Sequence, residues 1–182
     1  MNAIMSNFDA NYFERMYALL KVHGIDRIYH FTDIRNYESI KKCGGLLSWW
    51  NADRNGVTIP FPGGNDGSRS LDWHYGLFDF VRFSFCKDHP MIWRLQQNGY
   101  DLVMLEFDLE ILKNCFFGFS DQNATANGHK VEFGPKGIEL VNLQATQRQF
   151  VKKTDPDFGP HQAEILVRGY APLKYLIQKT KI

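Results

Sequence analysis

The residues with most chemistry to offer stand in three short stretches. Glu164 heads the run Ile165-Leu166-Val167 in "HQAEILV", a β-branched-rich segment that reads as a buried strand. Glutamate is among the side chains least often buried without a partner, so a carboxylate at the mouth of such a strand either lies in solvent or is placed for chemistry. Held rigidly and partly desolvated, it can oppose a developing positive charge or accept a proton. Gln162, two residues earlier, shares its face if the strand has begun by then. In the second stretch, "YHFT" over 29–32, His30 and Thr32 alternate at the end of a strand that leads into a helix. The third, "LFDFVRFSFC" from Leu77 to Cys86, alternates like a central strand. Taken singly, each has a structural reading: a hydrogen-bonded core histidine, a capping threonine, a plain core strand and a solvated strand end.

The elements that must position these groups follow from the pattern. Tyr12, Phe13, Met16, Leu19, Leu20 and His23 recur at helical spacing behind Asp9, a capping residue, and Gly24 ends the run. This predicts an amphipathic helix within 1–24 packed on a single domain that spans 1–182. A strand from Arg27 to Thr32 follows, then a helix capped by Thr32 or Asp33 and stopped by Gly44-Gly45. Pro90 opens another helix where its missing N–H is harmless. Asp101 to Phe107 and Cys115 to Phe119 read as strands; Ile138 to Leu143 stays ambiguous between helix and strand. From Trp50 to Tyr75, and again from Gln144 to His161, no periodicity survives and both segments read as loops. The first is long enough that function is the expected reason for it. Short strands, a few helices and no regular β-α-β period give an α+β domain with a mixed or antiparallel sheet.

Composition sets the outer bounds. The 182 residues are 44% hydrophobic and 15% aromatic, enough for one domain that buries roughly two thirds of its unfolded surface. Lys and Arg number 21 against 20 Asp and Glu, a net charge of +1, so any nucleic-acid site must be a local patch. Cys43, Cys86 and Cys115 are odd in number and far apart, which makes a reducing cytosol the expected compartment. No stretch approaches the ~18 apolar residues needed to cross a bilayer, so no membrane partner is expected. His74, His89, His129 and His161 lack zinc-ligand spacing. There is no G-x-G-x-x-G or Walker loop, so a nucleotide would be held some other way.

Considered jointly, His-x-Thr on an early strand, an aromatic-rich central strand and Q-x-E before a late strand resemble the ADP-ribosyltransferase fold. More specifically, the chain resembles the DarT-type DNA ADP-ribosyltransferases, toxins of toxin-antitoxin pairs. The blocks that carry the resemblance are "YHFTDIRNYESIKKCGGLLS", "GLFDFVRFSFCKDHPMIWRL" and "HQAEILV", within about 28–176. The middle block, with its "DHPM" sequel, looks closer to the guanine-modifying branch than to the thymine-modifying one.

The resemblance implies a split sheet and NAD as co-substrate, with Glu164 on the ribose 2′-hydroxyl. It also implies that His30 donates to a ribose hydroxyl, that Thr32 contacts the nicotinamide side and that Phe31 backbone groups clamp the nicotinamide amide. Leu46 and Leu47 would line the adenosine pocket. An arginine from the loop before the central strand would reach the phosphates and aid base deprotonation; Arg54 and Arg69 both qualify, and Arg69 lies nearer the strand. A guanidinium fork suits a diphosphate better than an ammonium does. For the acceptor, Arg148, Lys152 and Lys153 beside Phe150 form a cationic, aromatic stretch suited to unpaired nucleic acid, partly offset by Asp155 and Asp157. Gln162 would read a base edge. Single-stranded DNA is the first acceptor expected and RNA the second, with a macrodomain-type antitoxin as protein partner. The alternatives are a protein acceptor, an inactive nucleic-acid-binding module, or a two-carboxylate hydrolase that pairs Glu164 with Asp79 or Glu106.

Overall fold

The computed structural model describes residues 7–182, with side chains from Asn11 onward. Helix α1 (Asn7–Val22) buries Met16 and Leu20 in the main core. It begins ahead of Asp9, whose side chain lies outside those described. Strand β1 (Arg27–Asp33) ends at Asp33, which accepts from the Arg35 N–H and caps a short 3-10 turn ahead of α2 (Tyr37–Lys42). The turn after α2 uses Gly44 at φ +70°, a left-handed conformation that glycine adopts without penalty. Strand β2 (Gly45–Leu47) comes next. A Cβ on Gly45 would collide with the Ala171 carbonyl and the Tyr170 ring, so the close pairing of β2 with its partner strand depends on that glycine.

The stretch expected as one long loop holds two helices, α3 (Trp49–Arg54) and α4 (Asp66–His74). Each has a side-chain cap: Ser48 accepts from the Asn51 N–H and Asn65 from the Ser68 N–H. The two helices are too short to declare an apolar period, so their caps were the only local signal. Strand β3 (Phe80–Ser84), helix α5 (Pro90–Gln97), strand β4 (Leu102–Asp108), the single turn α6 (Ile111–Asn114) and strand β5 (Phe117–Ser120) then follow the reading from sequence within a few residues.

The turn-rich segment after β5 contains β6 (Val131–Phe133). The ambiguous run near Ile138 resolves into a 3-10 turn over Pro135–Leu140, followed by α7 (Leu143–Thr146). The supposed loop before His161 ends in α8 (Phe158–His161). Last come β7 (Glu164–Arg168), β8 (Tyr170–Pro172) and β9 (Leu176–Lys181).

Among the described residues seven strands form one sheet in the order β6-β5-β7-β3-β1-β4-β9, every neighbouring pair antiparallel, and β2 pairs with β8 apart from it. The α+β expectation therefore holds, with an antiparallel sheet. Its centre is split. β1 runs beside β4 from Arg27 to Asp33, but meets β3 at the single register pair Tyr29 with Ser84. Beyond that pair the strands part and leave a cleft between His30, Phe31 and Thr32 on one side and Arg82 on the other. The core that holds the halves together includes Ile28, Phe83, Phe107, Phe119 and Ile165. Among the described residues no helix is long and apolar enough to cross a membrane.

Asp33 ties the end of β1 to its surroundings: its carboxylate binds the Arg35 guanidinium through both oxygens at 2.7 Å and accepts from the Asp101 N–H at 3.1 Å. These donors hold its carboxyl well below the ordinary range, at about 2. A depressed carboxylate stabilises the fold above its unfolded pKa and stops doing so as pH falls through the folded value. Asp33→Asn is expected to lower urea-derived stability by roughly 1–3 kcal/mol at neutral pH. The difference from the parent should shrink as pH falls from about 4 towards about 2. A difference that stays constant over that window would contradict the assignment.

Candidate active site

Glu164 is the first residue of β7, opposite Ser84 of β3 and Ser120 of β5, and is 8% exposed. It sits neither on the rim nor in solvent. Its N–H donates to Ser120 Oγ at 3.2 Å. One carboxylate oxygen, Oε2, accepts from Arg82 Nη1 at 2.6 Å and from the Ala124 N–H at 3.0 Å. The other, Oε1, takes no hydrogen bond among the described residues. No buried side-chain polar atom among them lacks a partner, so Oε1 reaches the open space. That space is a cavity of about 1300 Å³, walled in part by Glu164, His30, Phe31 and Thr32.

Arg82 organises the floor of this cavity. It lies in the middle of β3 between aromatic and aliphatic neighbours, where burying a cation is costly unless it is paired. Nη1 binds Glu164 and Nη2 binds Asp72 Oδ1, while Asp72 Oδ2 accepts from Trp49 Nε1 at 3.2 Å. Burial pushes the Asp72 carboxyl up, against the pull of Arg82. The Arg82 guanidinium is thus shared between two carboxylates.

The Arg82 carbonyl has a role of its own, accepting from His30 Nδ1 at 2.9 Å. Burial lowers the His30 pKa, so the ring is neutral near pH 7. A carbonyl can only accept, which puts the proton on Nδ1 and a lone pair on Nε2. His30 therefore presents Nε2 to the cavity as an acceptor, whereas the resemblance implied a donor. Thr32 does the opposite: its Oγ accepts from Asn36 Nδ2 at 3.0 Å, leaving the hydroxyl proton for a ligand. Asn36 also exchanges two hydrogen bonds with the Phe61 backbone, and the Arg35 guanidinium lies 3.2 Å from the Phe61 ring centroid. The long segment before α4 is thereby pinned beside β1.

Phe31 faces the cavity with His89 at 5.4 Å between ring centroids. His89 caps α5 by accepting from the Met91 N–H, and burial holds it neutral down to about pH 4. Leu46 and Leu47 on β2 line the cavity, Leu46 belonging to the main core as well. Of the two arginines considered for the phosphates, Arg69 lies on the cavity wall and Arg54 does not. Arg69 belongs to α4 rather than to a loop, with its guanidinium 5.4 Å from the Trp49 ring centroid and 3.8 Å from the Asp53 carboxylate.

At the far side Lys152 and Lys153 line the cavity and have no ion pair among the described residues. Phe150 is 87% exposed there, at φ +55°, with its N–H on Asp88 Oδ2 at 3.0 Å. Arg148 is not on the wall, and its guanidinium is bound to Asp155 at 2.8 Å and Asp157 at 2.6 Å. Gln162 precedes β7 rather than belonging to it: it follows α8, and its Nε2 donates to the Phe158 carbonyl at 2.8 Å. The side chain still lines the cavity with its carbonyl oxygen unengaged. Asp79 binds Ser48 and Arg168, and Glu106 binds Arg27 and Lys87, both away from the cavity, so neither forms a hydrolytic pair with Glu164. Arg82 and Asp72 escaped the reading from sequence. The signal was present: a lone cation inside "FDFVRFSF" demands a buried anion.

No curated protein sequence matches the chain. The family model for DarT, ssDNA thymidine ADP-ribosyltransferase, matches residues 29–178. Thermus sp. 2.9 DarT in complex with ADP-ribosylated ssDNA superposes with a TM-score of 0.74 at 16% identity, over 87% of this chain and 82% of that one. The Thermus sp. 2.9 DarT complex with NAD+ gives 0.66 at 19% identity, over 86% and 82%. Thermosipho africanus DarTG in complex with ADP-ribose gives 0.71 at 20% identity, covering 85% of this chain and 43% of that longer one. The structural likenesses establish a shared ADP-ribosyltransferase fold, and the family model spans most of the chain: it belongs to the DarT family of single-stranded-DNA thymidine ADP-ribosyltransferases.

Proposed function

We propose that this chain transfers one ADP-ribose from NAD to a nucleobase of single-stranded DNA, with Glu164 meeting the reacting sugar. The observation that carries this is the Glu164 carboxylate: Oε2 is fixed by two donors, and Oε1 faces the cleft that His30 and Thr32 border. As the bond between ribose C1′ and nicotinamide breaks, its electron pair leaves with nicotinamide and the sugar becomes cationic. A carboxylate on the 2′-hydroxyl opposes that charge mainly as it forms, which is the differential stabilisation that catalysis requires. The attacking base nitrogen supplies the pair of the new bond to C1′, and its proton passes to the same carboxylate. In this reading Thr32 donates and His30 accepts on the nicotinamide–ribose half, Phe31 clamps the nicotinamide amide, Leu46 walls the adenosine and Arg69 reaches the diphosphate. Gln162 reads the acceptor base, and Lys152 with Lys153 holds its phosphates.

Unpaired DNA suits the open, cationic and aromatic outer wall, because base edges and stacking faces are hidden in a duplex. The family model is described by thymidine, whereas the "DHPM" block resembles the guanine-modifying branch. Nucleoside mass spectrometry of a reacted mixed-sequence oligonucleotide decides between the bases. A toxin role, countered by a macrodomain-type antitoxin that removes ADP-ribose, is part of the same reading, and the likeness to DarTG supports it.

With labelled NAD and separate pools of single-stranded DNA, RNA and protein, label is expected in the DNA; label in RNA or protein alone would replace the acceptor proposed here. Glu164→Gln should reduce transfer by at least about a hundredfold while leaving the NAD-induced rise in Tm intact. Undiminished transfer in that variant would end the mechanism. Lys152→Ala with Lys153→Ala should weaken oligonucleotide binding and lower its salt slope by roughly 1.4, about 0.7 for each single-strand phosphate that a lysine no longer neutralises. Arg148→Ala should leave the slope unchanged, because its guanidinium is already committed to two aspartates.

A further inference from the structure

We infer that Arg82 is a positioning residue for Glu164, and that Asp72 fixes Arg82 so that one carboxylate oxygen is held and the other is left for the substrate. The inference rests on the transfer chemistry proposed above and deepens it. Three facts of placement carry it.

First, Arg82 lies on β3, one of the two strands that meet across the split in the sheet. Through its carbonyl it fixes the His30 ring at 2.9 Å, and through Nη1 it fixes Glu164 at 2.6 Å. A single residue thus fixes the spacing between His30 and Glu164, the two groups that the proposed reading brings to the ribose. Second, the two donors to Glu164 converge on Oε2 alone. A carboxylate with one oxygen bound and the other free cannot rotate about its last bond without losing an ion pair and a backbone hydrogen bond. Its free lone pairs are therefore aimed before substrate arrives, and preorganised electrostatics of this kind need no rearrangement at the moment of reaction.

Third, Asp72 keeps the arrangement from quenching itself. With Glu164 as its sole partner, a half-buried Arg82 would offset much of the charge of the carboxylate that must oppose a cationic sugar. Asp72 binds the second guanidinium nitrogen, and Trp49 Nε1 orients Asp72 in turn. The guanidinium is then divided between two carboxylates instead of being committed to Glu164 alone. Because Asp72 lies on α4, the segment between α3 and β3 becomes part of the active site, through this bond as well as through Arg69.

A structural role alone would affect folding; positioning affects turnover in folded protein. The test uses the full chain with labelled NAD and a single-stranded oligonucleotide acceptor. Transfer by the parent, abolished in Glu164→Gln, establishes the underlying reading; no transfer by the parent would overturn that reading and this inference together. Given parent activity, Arg82→Ala should lower kcat by about a hundredfold, as misplacement of a reacting group by about an ångström does. KM for NAD should change little, because the carbonyl that holds His30 is untouched. Millimolar guanidinium ion should recover about tenfold of the missing rate, and Arg82→Lys should fall between parent and Arg82→Ala. Should Arg82→Ala fail to fold, Asp72→Asn carries the test: it keeps the shape, loosens one anchor and should lower kcat alone by about threefold to tenfold. Full kcat in folded Arg82→Ala, no response of that variant to guanidinium, or full kcat in folded Asp72→Asn would each overturn the inference while leaving the role of Glu164 standing.

Discussion

One ion pair, Arg82 with Glu164, is the contact around which the floor of the cleft is built. It joins the adjacent central strands β3 and β7 at the floor of the cleft, and its geometry holds Oε2 of Glu164 while leaving Oε1 open to the cavity. In water such a pair contributes little; in a partly buried site each charge costs more to desolvate and is held more strongly once paired. The surrounding β-ladder gives the pair its rigidity. Ser84 and Ser120 flank Glu164 in register on both sides, so the carboxylate starts from a backbone held by two strand pairings.

The cleft itself comes from a sheet that does not close. β1 is firmly laddered to β4 and touches β3 at one register pair, so the residues that would otherwise cross-pair instead present side chains to open space. His30 spans the gap with its Nδ1 proton on the Arg82 carbonyl, which replaces a ladder bond by one that leaves Nε2 available. On the outer side Asn36 and Arg35 hold the segment around Phe61 in place, and Tyr100 donates to the Pro62 carbonyl. The cavity is thus walled on one face by strand and on the other by a segment with little regular structure but several specific anchors.

Charge is distributed with the same economy. The chain is nearly neutral as a whole, and its cations divide into those already matched and those left open. Arg148 is matched by Asp155 and Asp157, and Arg27 and Lys87 by buried Glu106. Lys152 and Lys153 stay open beside an exposed Phe150, and Trp93, 66% exposed, faces the same cavity from α5. The cavity thus carries a cationic and aromatic rim above a floor where one arginine is shared by two carboxylates.

The amino-acid sequence by itself determined strands β1, β3, β4, β5 and β7, the helix that Pro90 begins and the identity of Glu164 as an anion at a strand head, because these follow from periodicity, fixed φ and hydrophobicity within a few residues of chain; the short strands β2, β6 and β8 and the polar edge strand β9 carry no such pattern. It also carried the family, through blocks whose residue types match a pattern. Tertiary structure alone decided what those residues face. The two helices in the segment after Trp50 are short and owe their stability to packing, so no period announced them. Gln162 lies off the strand because α8 ends at His161 and β7 starts at Glu164, a boundary set by the pairing with β3 and β5. The Arg82 partners come from positions 10 and 82 residues away; a sequence states that a buried cation must be matched, but only the folded chain selects the anions that match it.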